Sequence, residues 1–323
     1  MARVVPAEGA ILQRMAATAP LAACRGLNRD AFAKYDAAQG KTAWALRHRR
    51  RFALVQGDDL LASAERYDLT GQLDRQPVSI CGIAAVVDSG ADDDGTNYGD
   101  TLVEQLLKHA TGDGSDLALL FRTANASSPL PDGFEIVPTT DLVLTVTESS
   151  RHGAPMTLVR GGEDRDLGAI AAMGRVRASP FRFHIERDVD LIKHEIVRRR
   201  LLAGLGTAGG RQLEFVIAEE GITAAAYLVI SVVGDSWTIE ECGDRDASGA
   251  RVGALLQALI AREPAESRPV IRAWLPPGFL PPQVAIASAS AAPPLVLARA
   301  LSARVERLHL TAPEVTYWRS DLF

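Results

Sequence analysis

The most constraining feature of the sequence is a strand, a turn-rich loop, an amphipathic helix and a second strand, in that order. Apolar residues fill 79–87, glycine and aspartate dominate 88–99, helical periodicity covers 100–111, and a second apolar run covers 116–121. A loop that leads into a helix N-terminus leaves backbone N–H groups without helical partners, and such groups suit phosphate. The segment therefore predicts a β-loop-α-β unit with a place for a phosphorylated cofactor.

The charge of the same loop opposes that use, because it contains three consecutive aspartates, Asp92, Asp93 and Asp94. Two unit charges ~4 Å apart interact by ~4 kcal/mol at an effective dielectric constant of ~20, so carboxylates that face a diphosphate would remove much of its binding energy. The run also lacks the alternating aspartates and distal glutamate of a calcium loop. We therefore predict no metal site here.

Composition is that of an ordinary globular protein. The chain has 323 residues, 47% of them hydrophobic, which suits one large or two ordinary domains. A net charge of −5 argues against a general nucleic-acid binder, which would carry excess Lys and Arg. Cys24, Cys81 and Cys242 are odd in number and far apart, which predicts a reducing compartment. No signal peptide or membrane span is visible, so we expect a cytoplasmic protein with no membrane partner.

The order of elements repeats along the chain. Each half is read as helices, a β-hairpin, a strand, a glycine loop, a helix and a strand, and the polar segment Ser149–Pro155 is the best linker. This plan predicts an internal duplication with domains at 1–150 and 151–323. The predicted fold class is α/β (α+β), with two mixed, mainly antiparallel sheets that are each flanked by helices.

Residues 51–147 resemble the GNAT superfamily of acyl-coenzyme A-dependent N-acyltransferases. The resemblance rests on the hairpin from Phe52, the strand Cys81–Val87, Tyr98-Gly99 at the helix start, the strand from Asp116 and Gly133-Phe134. The second half is similar in element order only. The tandem arrangement resembles two-domain bacterial members of the superfamily.

The resemblance implies that acetyl-CoA or another acyl-CoA is the cofactor and that a small-molecule amine is the acceptor. In that superfamily the strand pairs with the pantetheine arm, and the following loop wraps the diphosphate with backbone N–H groups. Carried onto this chain, these roles fall on nine residues: Ala85, Val86, Val87, Gly95, Thr96, Asn97, Tyr98, Gly99 and Asp100. A homo-oligomer is compatible with the sequence.

Two departures from the superfamily pattern stand out. The arginine of the diphosphate motif falls on Asp94 and its middle glycine on Asn97, while its last glycine is kept as Gly99. The position of the tyrosine that often protonates the leaving thiolate falls on Pro129, and no tyrosine replaces it nearby.

Three residues are candidates for catalysis. Glu65 and Tyr67 alternate on one strand face that would border the acceptor cleft, and they could act as general base and proton donor. A sheet-surface pair covered by the amino-terminal helices is the alternative interpretation. Phe323 resembles, in residue type, the terminal phenylalanine whose carboxylate serves as base in Eis-type aminoglycoside acetyltransferases; an ordinary last strand is the alternative.

Other functions stay open at this stage. The departures at Asp94 and Pro129 favour a GNAT-fold protein that has lost acyl transfer and serves as a ligand-binding or scaffold subunit. An enzyme of specialised metabolism that does not use coenzyme A is another option, and an aminoacyl-tRNA-dependent enzyme is disfavoured by the acidic balance. The second glycine loop, 244–253, is a weaker candidate phosphate loop.

Overall fold

A computed structural model describes residues 2–18, 26–89, 97–122, 130–147, 158–206, 210–264, 266, 268–293, 295–305 and 308–323. The chain forms two compact units. Unit 1 comprises Met1–Pro138, Pro293–Thr311 and Leu322–Phe323, and unit 2 comprises Thr139–Ala292 and Ala312–Asp321. Each unit contains a mainly antiparallel sheet flanked by helices, which confirms the predicted fold class.

Unit 1 is built on seven strands in the order β1-β2-β3-β4-β5-β15-β6. Only β4 and β5 of these pair in parallel, among the residues that the structure describes. The strands are β1 (Arg3–Pro6), β2 (Arg49–Gln56), β3 (Asp59–Leu73), β4 (Gln76–Asp88), β5 (Leu117–Phe121), β6 (Glu135–Ile136) and β15 (Val296–Ala300), and the helices are α1 (Gly9–Thr18), α2 (Arg29–Gln39), α3 (Ala43–His48) and α4 (Tyr98–Gly112).

The predicted hairpin and strand-loop-helix-strand unit are both present in unit 1. Strands β2 and β3 pair across a turn in which Gly57 has φ of 59°, a conformation that glycine adopts without steric cost. Helix α4 buries one side, Leu102, Leu106 and Ala110 among others, against Cys81 and Ile83 of β4. These residues recur every four positions, so α4 is an amphipathic helix that packs on the sheet with one side. Its N-terminus follows β4 in the chain.

Unit 2 has a seven-stranded sheet in the order β14-β7-β13-β12-β11-β10-β8. A short parallel pair, β9 with β16, lies outside that sheet. The strands are β7 (Thr140–Val146), β8 (Leu158–Gly161), β9 (Phe183–Ile185), β10 (Gln212–Glu220), β11 (Thr223–Val233), β12 (Ser236–Asp244), β13 (Val270–Ala273), β14 (Val284–Ala291) and β16 (Val315–Thr316), and the helices are α5 (Leu167–Ala178), α6 (Val189–Leu205) and α7 (Ala250–Ile260).

Two cores lie on the two faces of the sheet in unit 2. Helix α7 packs on one face through residues such as Val252 and Leu256, and α5 and α6 pack on the other through Ile170 and Ile196. Asp188 caps α6 by accepting the Leu191 N–H at 2.7 Å. None of the helices in the described part of the chain is long and apolar enough to cross a membrane.

The two units exchange strands along the chain. Strand β7 lies within the first predicted domain, 1–150, but pairs with β13 and β14 of unit 2. Strand β15 comes late in the chain and pairs with β5 and β6 of unit 1. The predicted domains, 1–150 and 151–323, are two continuous segments, whereas the compact units are discontinuous in sequence.

Candidate functional site

Strands β4 and β5 of unit 1 separate after a short paired stretch. Parallel pairing runs only from Ile80 with Leu117 to Ile83 with Leu120. Within the described residues no strand pairs with Ala84–Val87 on the side away from β3, and Ala85, Val86 and Val87 are exposed or partly exposed. An unpaired strand edge of this kind binds extended ligands with amide groups by adding them to the sheet.

A β-bulge at Ala85 makes the separation possible. Ala85 has φ of 50°, and the register between β3 and β4 shifts so that Ala64 faces both Ala85 and Val86. A bulge bends its strand and increases the local twist. Three predicted cofactor residues, Ala85, Val86 and Val87, therefore lie on the bent end of β4, which pairs with β3 on one side only, and Ala85 is exposed.

Protein groups already occupy the first N–H groups of α4. The Asp88 carboxylate accepts the Gly99 N–H at 3.1 Å, and the Asn97 side chain accepts the Asp100 N–H at 3.0 Å. These are the donors that a diphosphate at a helix N-terminus would use. A Cβ on Gly99 would lie 3.2 Å from the Asn97 Oδ1 and 3.3 Å from the Val86 Cγ1, so glycine is the residue that fits this position without a shift of its neighbours. A carboxylate thus stands where the superfamily pattern implies phosphate.

The surroundings of this helix start are acidic. Partial burial, together with the negative charges of Asp88 and Glu104, raises the pKa of Asp100, although Arg122 opposes the shift. A second anion would meet the same repulsion. The N-terminus of α4 therefore fits the diphosphate poorly as it stands, whereas the open edge of β4 fits a pantetheine arm.

Unit 2 repeats this plan at residue level. Parallel pairing between β12 and β13 ends at Ile239, and β12 has a register shift at Glu240. Asp244 lies five residues after Ile239, as Asp88 lies five residues after Ile83. Asp244 accepts the Arg251 N–H, the second of α7, at 2.8 Å, just as Asp88 serves the second N–H of α4. This equivalence supports the predicted duplication.

The second copy of the cleft is filled by its own side chains. A Cβ on Gly249 would lie 2.6 Å from the ring of Phe279, and one on Gly253 would overlap Gln283. The end of β12 is buried up to Asp244, in contrast to the exposed end of β4. Phe279 and Gln283 therefore occupy the space beside two glycines of the weaker candidate loop, 244–253, and unit 1 is the better location for a cofactor.

The three predicted catalytic residues are brought together in unit 1. Helix α4 covers the face of β3 that carries Ala64, so Glu65 and Tyr67 lie on the opposite face. The Tyr67 hydroxyl donates to the Glu65 carboxylate. The Phe323 ring lies 4.4 Å from that of Tyr67, between centroids. Tyr67 and Glu65 stand opposite Gly82 and Ala84, at the point where the edge of β4 becomes free.

Glu65 is held in an ionic cluster. The Arg49 Nε donates to it at 2.9 Å, Arg51 lies 3.4 Å away, and Asp36 pairs with both arginines. Burial alone would raise the pKa of Glu65, but Arg49 and Arg51 with the Tyr67 hydroxyl lower it to about 2. A carboxylate with so low a pKa is a weak base at neutral pH, so Glu65 is better suited to orient Tyr67 than to accept a proton.

An aromatic cluster surrounds Tyr67 in unit 1. The rings of Trp44 and Phe121 lie 5.4 and 5.2 Å from that of Phe323, and Trp44 stacks 6.0 Å from Tyr67. Sequence reasoning missed the roles of Trp44 and Arg49, the second of which belongs to the basic run 47–51. Arg49 and Arg51 of that run are paired with Glu65 and Asp36. The base role predicted for Phe323 remains a prediction.

Several predicted positions lie outside the described residues. These are Gly95 and Thr96 of the cofactor loop, the aspartates Asp92–Asp94, Pro129, Cys24 and the linker Ser149–Pro155. Cys81 and Cys242 are free and buried, and burial raises the pKa of Cys81 to about 11.

A buried ionic cluster in unit 2 was not foreseen. Arg187 lies 2.6 Å from Glu241 and 2.8 Å from Asp321, although the angle to Asp321 does not suit a hydrogen bond. Tyr227 donates to Glu241 at 2.5 Å, and Glu240 pairs with Arg199 at 3.0 Å. Both carboxylates are therefore largely buried and each is paired with an arginine.

Replacing Asp321 with asparagine is expected to remove a pH dependence of stability. Burial raises the pKa of Asp321 to about 6, with Glu241 and Glu195 adding to the shift and Arg187 opposing it. An unfolded aspartate ionises near ~3.9, so between pH ~4 and ~6 the folded state holds the proton and its free energy of unfolding falls as pH rises. As pH rises through this window, we expect the free energy of unfolding of the wild type to fall by roughly 2–3 kcal/mol more than that of Asp321→Asn. Urea unfolding at several pH values measures it, and parallel curves for the two proteins would contradict it.

Comparisons with known proteins support the fold. No sequence model of a protein family matches the chain, and no curated protein matches it. A GCN5-related N-acetyltransferase from Anabaena variabilis has a similar structure, with TM-score 0.66, 11% identity, and coverage of 94% of this chain and 74% of that one. Eis1 from Mycobacterium abscessus follows with TM-score 0.56, 14% identity and coverage of 94% and 74%.

N-myristoyltransferase from Saccharomyces cerevisiae, solved with bound myristoyl-CoA, is also similar. Its TM-score is 0.51 at 9% identity, with coverage of 84% of this chain and 76% of that one. Structural similarity at such low sequence identity establishes the fold only, and function has to be argued from the residues of the site. Since these matches span most of the chain and both units repeat one plan, the chain has a tandem fold of the GNAT type.

Proposed function

We propose that the protein transfers an acyl group from a pantetheine thioester, acetyl-CoA or another acyl-CoA, to an amine of a small molecule, and that unit 1 carries the reaction. The observation that carries this proposal is the bulged and exposed end of β4, whose unpaired groups suit the amides of a pantetheine arm. Acyl-CoA use is also supported by the similar N-myristoyltransferase with its bound acyl-CoA.

The thioester supplies an activated carbonyl when it is bound. The residues of β4 would hold its arm, with Ala85, Val86 and Val87 providing backbone groups. Binding the arm and the amine together accounts for most of the rate, because proximity alone lowers a bimolecular barrier substantially. The C–N bond forms, the C–S bond breaks, and the leaving thiolate needs a proton.

Tyr67 is the residue that we propose as proton donor to the sulfur. Glu65 accepts the hydrogen bond of its hydroxyl, and the Trp44 and Phe323 rings flank the tyrosine ring. Glu65 is thus a positioning residue in this proposal. In the reaction the Tyr67 O–H turns from Glu65 to the sulfur and gives up its proton, and the proton that the attacking amine loses restores the hydroxyl.

Replacing Asp88 with asparagine is expected to strengthen binding of acetyl-CoA about tenfold. An asparagine oxygen still accepts the Gly99 N–H, but it removes a negative charge from the position nearest the diphosphate. S-acetylpantetheine has no diphosphate, so its affinity is expected to stay unchanged. Titration calorimetry with both thioesters measures the two effects separately.

The matched control is Asp244→Asn, which makes the same change at the equivalent position of unit 2. It is expected to leave both affinities unchanged, because that cleft is filled. If neither thioester binds the wild type or Asp88→Asn at millimolar concentration, acyl transfer is wrong. That result would favour the rival function, a ligand-binding or scaffold protein, for which the Asp88 contact is the supporting observation.

A further inference from the structure

A polar pocket of about 680 Å³ opens in unit 1 beside the C-terminal end of α4. Its volume is within the ~300–1,000 Å³ that small-molecule pockets have. Among the residues that line it are Arg50 and Phe52 of β2, Arg66 and Asp68 of β3, and Asp113 directly after α4. From β4 it takes Ser79 and Ile80, five residues and more before the bulge at Ala85. The pocket is therefore separate from the proposed acyl-CoA site at the end of β4.

Arg66 is a buried cation with an incomplete set of partners in this pocket. It is 9% exposed, and its Nη1 lies 2.8 Å from the Asp113 Oδ2. Its Nε has no hydrogen-bond partner. A guanidinium has five N–H donors, and buried donors are as a rule hydrogen-bonded. Arg66 therefore has capacity for a further acceptor.

Asp68 is shared loosely between two arginines. Its Oδ1 lies 3.3 Å from the Arg66 Nε and its Oδ2 3.5 Å from the Arg50 Nη2. Both distances exceed the ~2.7–2.9 Å of a charge-assisted hydrogen bond. The Asp68 side chain is 39% exposed and that of Arg50 is 54% exposed, so neither is fixed by packing. An incoming acceptor can take the Arg66 Nε–H while Asp68 stays with Arg50.

We propose that this pocket binds the carboxylate of a small organic acid through Arg66. The planar fork of a guanidinium matches the two oxygens of a carboxylate, and Phe52 offers an apolar surface to the rest of the molecule. The two arginines and two aspartates of the pocket balance in charge, and His109 is its remaining titratable residue. A single negative charge therefore meets less repulsion from the aspartates than the two charges of phosphate.

Titration of the full chain with benzoate at fixed ionic strength tests this proposal. In spectra of the arginine Nε–H groups, the Arg66 signal, identified by its loss in Arg66→Lys, is expected to shift to saturation with a roughly millimolar dissociation constant. Arg66→Lys keeps the charge and loses the fork, so calorimetry is expected to show binding weakened at least about tenfold.

Two variants of the exposed partners are expected to act in opposite directions. Asp68→Asn removes a competing carboxylate and is expected to strengthen benzoate binding about threefold. Arg50→Gln leaves Asp68 to compete for Arg66 and is expected to weaken binding about threefold. Both side chains are partly exposed, so these variants decide the matter even if Arg66→Lys does not fold.

The control variant is Arg3→Gln, which removes an exposed arginine of β1 outside the pocket and is expected to leave the affinity unchanged. Three results would each overturn the proposal: no saturation at about 50 mM benzoate, phosphate that binds more tightly than benzoate at the same ionic strength, or one affinity shared by the wild type, Asp68→Asn and Arg50→Gln.

Discussion

Replacing Arg187 with methionine is expected to lower the free energy of unfolding of unit 2 by about 3–5 kcal/mol. The Arg187 side chain is 9% exposed, and those of its partners Glu241 and Asp321 are 2% and 1% exposed. Removing the arginine leaves two buried carboxylates with no opposite charge on the side that it occupied. Three of the four tryptophans belong to unit 2, so fluorescence during urea unfolding follows the loss.

The pH dependence of this loss identifies its cause. Unpaired buried carboxylates bind protons more readily, so the deficit of Arg187→Met is expected to be smaller at pH 5 than at pH 8. The control is Arg165→Met, which removes a surface ion pair with Glu163, 58% and 59% exposed, and is expected to cost at most about 1 kcal/mol. Equal losses for the two variants would show that the Arg187 cluster does not stabilise unit 2.

Much of the fold was predictable because local patterns specified it. The alternation of β3 and the periodicity of α4 fixed the hairpin and the helix, and the apolar spacing of Leu102 and Leu106 set the face that packs on β4. The placement of β7 and β15 was not predictable in the same way. Each has an ordinary strand pattern, and pattern alone does not say which sheet a strand joins.

The residues that come together in the candidate site were predictable, whereas their electrostatic environment was not. Glu65, Tyr67 and Phe323 come together because strand alternation places the first two on one face, while the approach of Phe323 depends on long-range folding. The low pKa of Glu65 depends on Arg49, sixteen residues earlier, which reaches it only through the pairing of β2 with β3. Asp88 was read as loop, and only the structure brings its carboxylate to the Gly99 N–H.

Under the proposed function, Tyr67→Phe is expected to lower kcat about 100-fold and to change KM by less than about threefold. The variant removes only the hydroxyl that would protonate the thiolate, and its ring keeps the contacts with Trp44 and Phe323. Glu65 remains neutralised by Arg49 and Arg51, so the fold should be retained. Thiol release from acetyl-CoA, with the amine that the wild type uses fastest, measures both constants.

Tyr35→Phe is the matched control for this prediction. Tyr35 is a buried tyrosine of α2 in the same unit, its ring 6.1 Å from Phe32, and removing its hydroxyl should leave kcat within about twofold. A proton donor also shapes the alkaline limb of the pH–rate profile, so that limb should shift in Tyr67→Phe and stay in place in Tyr35→Phe. If kcat of Tyr67→Phe stays within twofold of the wild type, another group protonates the thiolate, and Tyr67 serves only to pack the aromatic cluster around Phe323.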